Sequence, residues 1–182
     1  TQSEIDSLLP GLEDARTSYV ANRKANLPND LGPAIWFNPL LPGMKIPTGP
    51  DKVNFGKVPL VRLPQNRDDL AWCTVRELAE LLRTRQISSE ELTRFFLDRL
   101  KKYDPQLHCV ITLTEDLAIA QAKRADAEIK AGKYRGLLHG IPYGAKDLLA
   151  ARNYKTTWGS VPYQDQVLDY DATVIKKLEA AG

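Results

Sequence analysis

Gly136-Leu137-Leu138-His139-Gly140-Ile141-Pro142-Tyr143-Gly144-Ala145-Lys146-Asp147 carries a lysine into a short apolar segment braced by glycine and proline. Taken alone, Lys146 reads as a solvated lysine at the end of a strand. The carboxylate that follows it, Asp147, would favour the charged amine if the two side chains met. Neighbouring side chains in a strand point to opposite faces, so the backbone itself is expected to separate them and leave Asp147 a structural role. His139, ahead of Gly140-Ile141-Pro142, reads as a hydrogen-bonded loop residue rather than a general base. Gly140 and Gly144 do not make a phosphate-binding loop, because the Gly-Lys-Ser/Thr ending and a following helix start are missing.

Working outward from that stretch, Thr156-Thr157-Trp158-Gly159-Ser160 reads as a turn, with Ser160 a loop hydroxyl, since no histidine has the context to activate it as a nucleophile. Asp171 to Gly182 reads as a helix whose Ile175 and Leu178 need a sheet to cover. Upstream, Ala118 to Ala131 is a small-residue helix ended by Gly132, and Cys109-Val110-Ile111-Thr112-Leu113 is β-branched and bounded by polar residues, as a strand is. Two capping boxes open helices. Thr74-Val75-Arg76-Glu77 precedes Leu78, Ala79, Leu81 and Leu82, which with Val75 form the face to bury. Ser88-Ser89-Glu90-Glu91 precedes Leu92, Phe95, Phe96, Leu97 and Leu100, and Tyr103-Asp104-Pro105 is expected to stop that helix. The two are expected to pack as a pair.

Further toward the start the composition changes. Eight of the 12 prolines lie between Pro28 and Pro64, among them Pro39, Pro42, Pro47 and Pro50, which excludes long helices and central strands. This stretch reads as an extended arm, anchored by burial of Trp36 and Phe37. Before it, Ile5, Leu8, Leu9, Leu12, Ala15, Tyr19 and Val20 recur on one face of a helix that Pro10-Gly11 is expected to break or restart. The organisation is thus an N-terminal helical segment over 1–27, a Pro-rich extended arm over 28–70, and a third region over 71–182.

The 182 residues are 43% hydrophobic and 26% charged, enough for a packed core and too apolar for disorder. Lys+Arg 25 against Asp+Glu 23 leaves a formal charge of +2, and the basic residues are interspersed with acidic ones, so nucleic acid is not expected as a direct partner. No apolar run approaches a membrane span, and the first residues lack the pattern of a secretory signal. The chain opens on Thr1 and its only methionine is Met44, so a trimmed start is expected; the cytoplasm is the favoured location. Cys73 and Cys109 read as two reduced, buried thiols. With only His108 and His139 beside them, no metal site is assigned.

A capped helix pair, a strand, an alanine-rich helix, Gly140-Ile141-Pro142, Lys146-Asp147, Thr157-Trp158-Gly159-Ser160 and a closing helix, in that order from Val75 onward, resemble the N-terminal part of the amidase signature family of serine hydrolases. The resemblance implies an α/β fold, an α/β/α sandwich around a mixed sheet, of which this chain is expected to be the first portion, incomplete at its C-terminus. It implies amide hydrolysis through a Ser-cisSer-Lys triad in which Lys146 matches the lysine and both serines lie beyond Gly182. It implies no cofactor, a small-molecule amide as substrate, and the remaining C-terminal part of the same fold as partner; homo-oligomerisation stays open.

The chemistry says what such a lysine needs. An ordinary lysine, with a pKa of about 10.4, is protonated at neutral pH, so a basic one requires burial beside hydroxyls and backbone dipoles without a paired carboxylate. In the implied relay Lys146 takes a proton from the bridging serine, which deprotonates the nucleophile; an acyl-enzyme forms, backbone N–H groups hold the oxyanion, and water or another amine releases the acyl group. The fragment alone is expected to be inactive. Three readings follow. A stand-alone amidase is favoured, because the long arm before Val75 departs from the compact start of the second, the amidase (A) subunit of a tRNA-dependent amidotransferase. The third is a non-catalytic interaction domain, should the chain be complete as it stands.

Overall fold

The computed structural model describes residues 1–28, 31–35, 37–46, 48, 49, 54, 56 and 60–182. The chain divides into two compact units, Thr1–Val53 and Asn54–Gly182.

The first unit is built on α1, Gln2–Lys24, opened by a capping box in which Thr1 and Glu4 exchange side-chain and backbone hydrogen bonds. The helix runs through Pro10 rather than breaking there. The proline forfeits one backbone hydrogen bond, and because the helix is exposed along its length, water can take up the carbonyl so released. The apolar stripe is real as a pattern, yet no residue of α1 is buried: Leu8 and Leu12 are both more than 60% exposed. Of the expected anchors of the arm, Phe37 is 87% exposed, while Trp36, Pro47 and Pro50 lie outside the described residues.

The second unit holds the core. A 3₁₀ turn at Arg67–Trp72 leads into α2, Val75–Arg83, then α3, Ser89–Leu107, and α4, Glu115–Lys130, with α5 at Thr173–Ala181. Leu70, Leu78, Leu81, Leu82, Ile87 and Leu92 form the buried cluster, with Val61, Leu63, Cys73, Phe95, Phe96 and Ile141 packed around it. Each such leucine removed from water contributes about 1.5–3 kcal/mol, so the α2–α3 corner is the stable centre of the unit. Of the faces expected to be buried, Val75 and Leu100 stay on the surface at 48% and 39% exposed. Phe95 and Phe96 meet edge to face with centroids 5.2 Å apart at the rim.

Both capping boxes form as the sequence spacing requires. At α3 all four backbone donors of the first turn are accounted for. Ser88 N–H goes to Glu91 Oε2 at 2.9 Å, and Glu91 N–H goes to Ser88 Oγ at 3.1 Å. Ser89 and Glu90 N–H go to the two carboxylate oxygens of Asp126, at 2.6 and 3.0 Å. Asp126 belongs to α4, so the α3–α4 packing is completed by a cap supplied from 37 residues away.

The helix ends differ from expectation. α3 continues through Pro105 to Leu107 and closes on His108, whose φ of +49° is left-handed. A proline in the last turn costs one donor only, and Asp104 gathers the chain beyond it, accepting from Cys109 and Val110 N–H at 2.8 Å each; these bonds, that of Val110 foremost, hold its carboxyl below the usual range. Residues 109–113, expected as a strand, are irregular: two of their donors are spent on Asp104, and among the described residues no neighbouring segment pairs with them. Among the described residues the single β-type pairing is one antiparallel bridge, Lys155 opposite Val167. Cys73 is half-buried and its thiol is pushed up by burial, then by Glu77 and Asp69, whereas Cys109 is exposed rather than buried.

Candidate functional site

Lys146 sits in an irregular segment between the buried Gly140 and the buried Ala150, and its side chain is exposed. Read alone, the sequence expects a solvated lysine at a strand end, and only the implied triad asks for burial; the segment forms no strand in these residues. Strand alternation therefore does not operate at Lys146 and Asp147. The Asp147 carboxylate is instead engaged by Thr157. Asp147 Oδ1 accepts Thr157 N–H at 2.9 Å, and Oδ2 accepts the Thr157 hydroxyl. The Asp147 carbonyl accepts Trp158 N–H at 3.1 Å, and that of Lys146 accepts Leu149 N–H at 2.9 Å.

The turn that receives these bonds is well seated. Thr156 is 1% exposed; its N–H goes to Gln166 O at 2.9 Å, and Gln166 Nε2 returns a bond to Thr156 O at 2.8 Å. Trp158 takes a positive φ of +55°, a conformation that costs a non-glycine residue and persists where neighbours hold it, and its ring lies 4.8 Å from that of Tyr163. Ser160 donates its N–H to Thr157 O at 3.0 Å, a turn residue as its context suggests.

On the other side, the segment leading to Lys146 is moored at Gly140. Its carbonyl accepts the buried Ser89 hydroxyl at 2.7 Å, and its φ is +81°. A Cβ there would stand 3.1 Å from both Ser89 Cβ and Oγ, so glycine is required by conformation and by the close approach. His139 is 1% exposed. Its Nδ1 accepts Arg135 N–H at 3.1 Å, which puts the ring proton on Nε2, 3.2 Å from Glu128 Oε2. Burial holds the imidazole below its ordinary value, against the pull of Glu128, and Arg135 pushes the same way as burial. Glu128 is held low chiefly by its bond to Arg135 Nη2 at 2.6 Å. Arg135 also bonds Glu179 O at 3.3 Å, and Arg124 pairs with the Glu179 carboxylate at 3.1 Å, which ties α5 to α4. His139 is thus the hydrogen-bonded structural residue that its context suggests.

A cleft of about 430 Å³ lies beside Ser88, Glu91, Asp126 and Lys130, and a second of about 360 Å³ beside Arg124, Arg135 and Lys176; Lys146 lines neither. Sequence reasoning singles out Lys146 and its immediate neighbours in the chain. It passes over Thr157, Ser89 and Asp126, whose partners lie 10, 51 and 37 residues away.

A family model described as Amidase matches residues 91–182, half of the chain, including the whole Gly136-to-Asp147 segment and the turn that grips it. The chain belongs to the amidase family. Among its relatives, the A subunit of glutamyl-tRNA(Gln) amidotransferase from Pseudomonas aeruginosa (strain LESB58) is 48% identical over 109 residues, 60% of this chain and 22% of that one. A putative amidase, AmiD, of Mycobacterium bovis is 40% identical over 117 residues, 64% of this chain and 25% of that one. Of solved structures, the native peptide amidase from Stenotrophomonas maltophilia superposes with a TM-score of 0.58 at 35% identity, over 62% of this chain and 23% of that chain. The chain spans about a fifth to a quarter of the length of these relatives.

Proposed function

We propose that this chain is the N-terminal part of an amidase that hydrolyses a carboxamide C–N bond through an acyl-enzyme, with Lys146 as the base of a Ser-cisSer-Lys triad. What supports it is the family match across residues 91–182, which takes in Lys146 together with the Asp147–Thr157 contacts; among the described residues no carboxylate pairs with the amine. A base that must run uncharged cannot share its site with a free anion. The same reading has an α/β/α sandwich in which residues 71–182 lend helices to one part, preceded by a helical segment at 1–27 and a Pro-rich arm at 28–70. The exposed Lys146 is then covered by the later part of the protein, which also brings both serines and most of the substrate pocket. The substrate is a small amide, with no cofactor.

In the complete protein, ammonia release from benzamide and from propionamide is measured for the parent and for Lys146→Ala. Removing a general base lowers kcat by about 10²–10⁴-fold. Ammonia released by the variant as fast as by the parent, or by neither, overturns the assignment.

The 48% identity to the A subunit of an amidotransferase is the ground for a second reading, not favoured over hydrolysis, in which the acyl group and amine belong to a transamidation. Glutamine-dependent amidation of a misacylated tRNA by the protein together with its partner chains, with no turnover of simple amides, is the result that selects it.

A further inference from the structure

We propose that Asp147 is a positioning residue for Lys146, fixing where the amine is presented by fastening the peptide next to it onto the turn at residues 156–160. This rests on the reading of Lys146 as the base. Consecutive Cα atoms are 3.8 Å apart across a rigid peptide plane, so whatever fixes residue 147 fixes the base of the lysine side chain.

The fastening comes from both sides of Asp147. Its side chain accepts Thr157 N–H at 2.9 Å and the Thr157 hydroxyl, and its main-chain carbonyl accepts Trp158 N–H at 3.1 Å. Side-chain and main-chain anchors together fix the place of the Cα and the rotation about it, which one bond alone does not. Leu149 N–H on Lys146 O at 2.9 Å closes the segment on its other side.

Thr157 matches the task atom by atom. Its Oγ1 donates to Asp147 and accepts Gly159 N–H at 3.2 Å, so one hydroxyl joins the carboxylate to the backbone of the turn. Thr157 is 8% exposed and Thr156 beside it is 1% exposed, so the anchor belongs to packed structure. Both carboxylate oxygens are engaged by this one residue, and no ion pair with Lys146 forms among the described residues. An acid adjacent in sequence to the base is in this way turned from a competitor for its proton into the device that aims it.

Proton transfer from a hydroxyl requires the amine within about 2.6–3.2 Å of the oxygen, and a displacement of about 1 Å costs on the order of 100-fold in rate. In the complete protein, kcat per folded molecule, KM for benzamide and Tm are measured for Asp147→Ala, Thr157→Val and Thr157→Ser. Asp147→Ala and Thr157→Val are expected to lower kcat about 10- to 100-fold with KM within about twofold. Thr157→Ser keeps both donors, and the expected kcat stays within about threefold of the parent. Asp147→Asn, which retains the main-chain anchor and one side-chain acceptor, serves where Asp147→Ala does not fold; its expected kcat lies between those of Asp147→Ala and the parent. The proposal is overturned if kcat per folded molecule is unchanged in Asp147→Ala and Asp147→Asn, or if Thr157→Ser loses as much as Thr157→Val. A fully active Lys146→Ala is a different result, read from a different variant, and removes the assignment of the base itself.

Discussion

Replacing Asp126 by alanine tests whether α3 depends on a cap supplied by another helix. The Asp126 carboxylate takes Ser89 N–H at 2.6 Å and Glu90 N–H at 3.0 Å, the two donors of the first turn that the Ser88–Glu91 box leaves over. Hydrogen bonds to a charged acceptor contribute about 1.5–3 kcal/mol each, and a carboxylate at a helix N-terminus gains about 0.3–1 kcal/mol from the dipole. The two bonds share one side chain and water replaces part of each when it is gone, so the sum is discounted to about 2–3 kcal/mol for the turn. At 1.4 kcal/mol per factor of ten, that predicts roughly 30- to 150-fold faster amide hydrogen exchange through the first turns of α3. Asp126→Asn keeps one acceptor and loses the charge, so about 1 kcal/mol and roughly fivefold faster exchange are expected. Exchange in α3 less than threefold faster in Asp126→Ala would show that water caps the helix as well as Asp126 does.

Two further outcomes follow from the approach to Lys146. The His139 imidazole is held below its ordinary value by burial, so in acid the unfolded chain binds a proton that the folded one refuses; the contribution of His139 to stability should be level above about pH 6.5 and fall as pH drops from there. His139→Gln should flatten that part of a urea-midpoint profile, while Glu128 shares the loss below about pH 4.5 with other carboxylates held low when folded, among them Glu77, Glu80, Glu91 and Asp104; an unflattened profile refutes the role of His139. Gly140→Ala forces a Cβ onto a φ of +81° and to 3.1 Å from Ser89, and should cost about 1–3 kcal/mol in unfolding free energy. A neutral substitution there would mean that the Ser89 contact yields freely.

What the sequence shows well is what short-range chemistry determines. The boxes at Thr74 and Ser88, the leucines of α2 and the end of α4 before Gly132 follow from spacings of three and four residues, and the structure forms each of them. The errors fall where a local signal needs a distant partner or fails to override one. Pro10 and Pro105 are breakers by rule, but each removes one donor from a helix otherwise intact. The β-branched run at 109–113 has strand propensity and, among the described residues, no strand beside it to pair with. At the candidate site, the lysine and its neighbouring acid are legible as a pair with conflicting charges. Thr157 as the resolution of that conflict is not legible, since nothing in a Thr-Thr-Trp-Gly-Ser run says which residue 10 positions back its hydroxyl will meet.

These tertiary hydrogen bonds form a sequence of supports that ends at Lys146. Asp126 of α4 seats the first turn of α3; Ser89, in that turn, seats Gly140 through a buried 2.7 Å bond; Gly140 opens the segment in which the lysine lies; and Asp147 closes it onto the Thr157 turn. Ser89 is the joint, because its backbone N–H serves the helix cap while its hydroxyl holds the loop. A hydroxyl only 1% exposed that spans 51 residues to a main-chain carbonyl is expensive to leave without its partner, so its bond resists thermal opening. Lys146 is held at both ends of its segment, by Gly140 and by Asp147, while its own side chain stays exposed. On the proposed reading of Lys146 as the base, that division places the backbone first and leaves the amine open to the rest of the site.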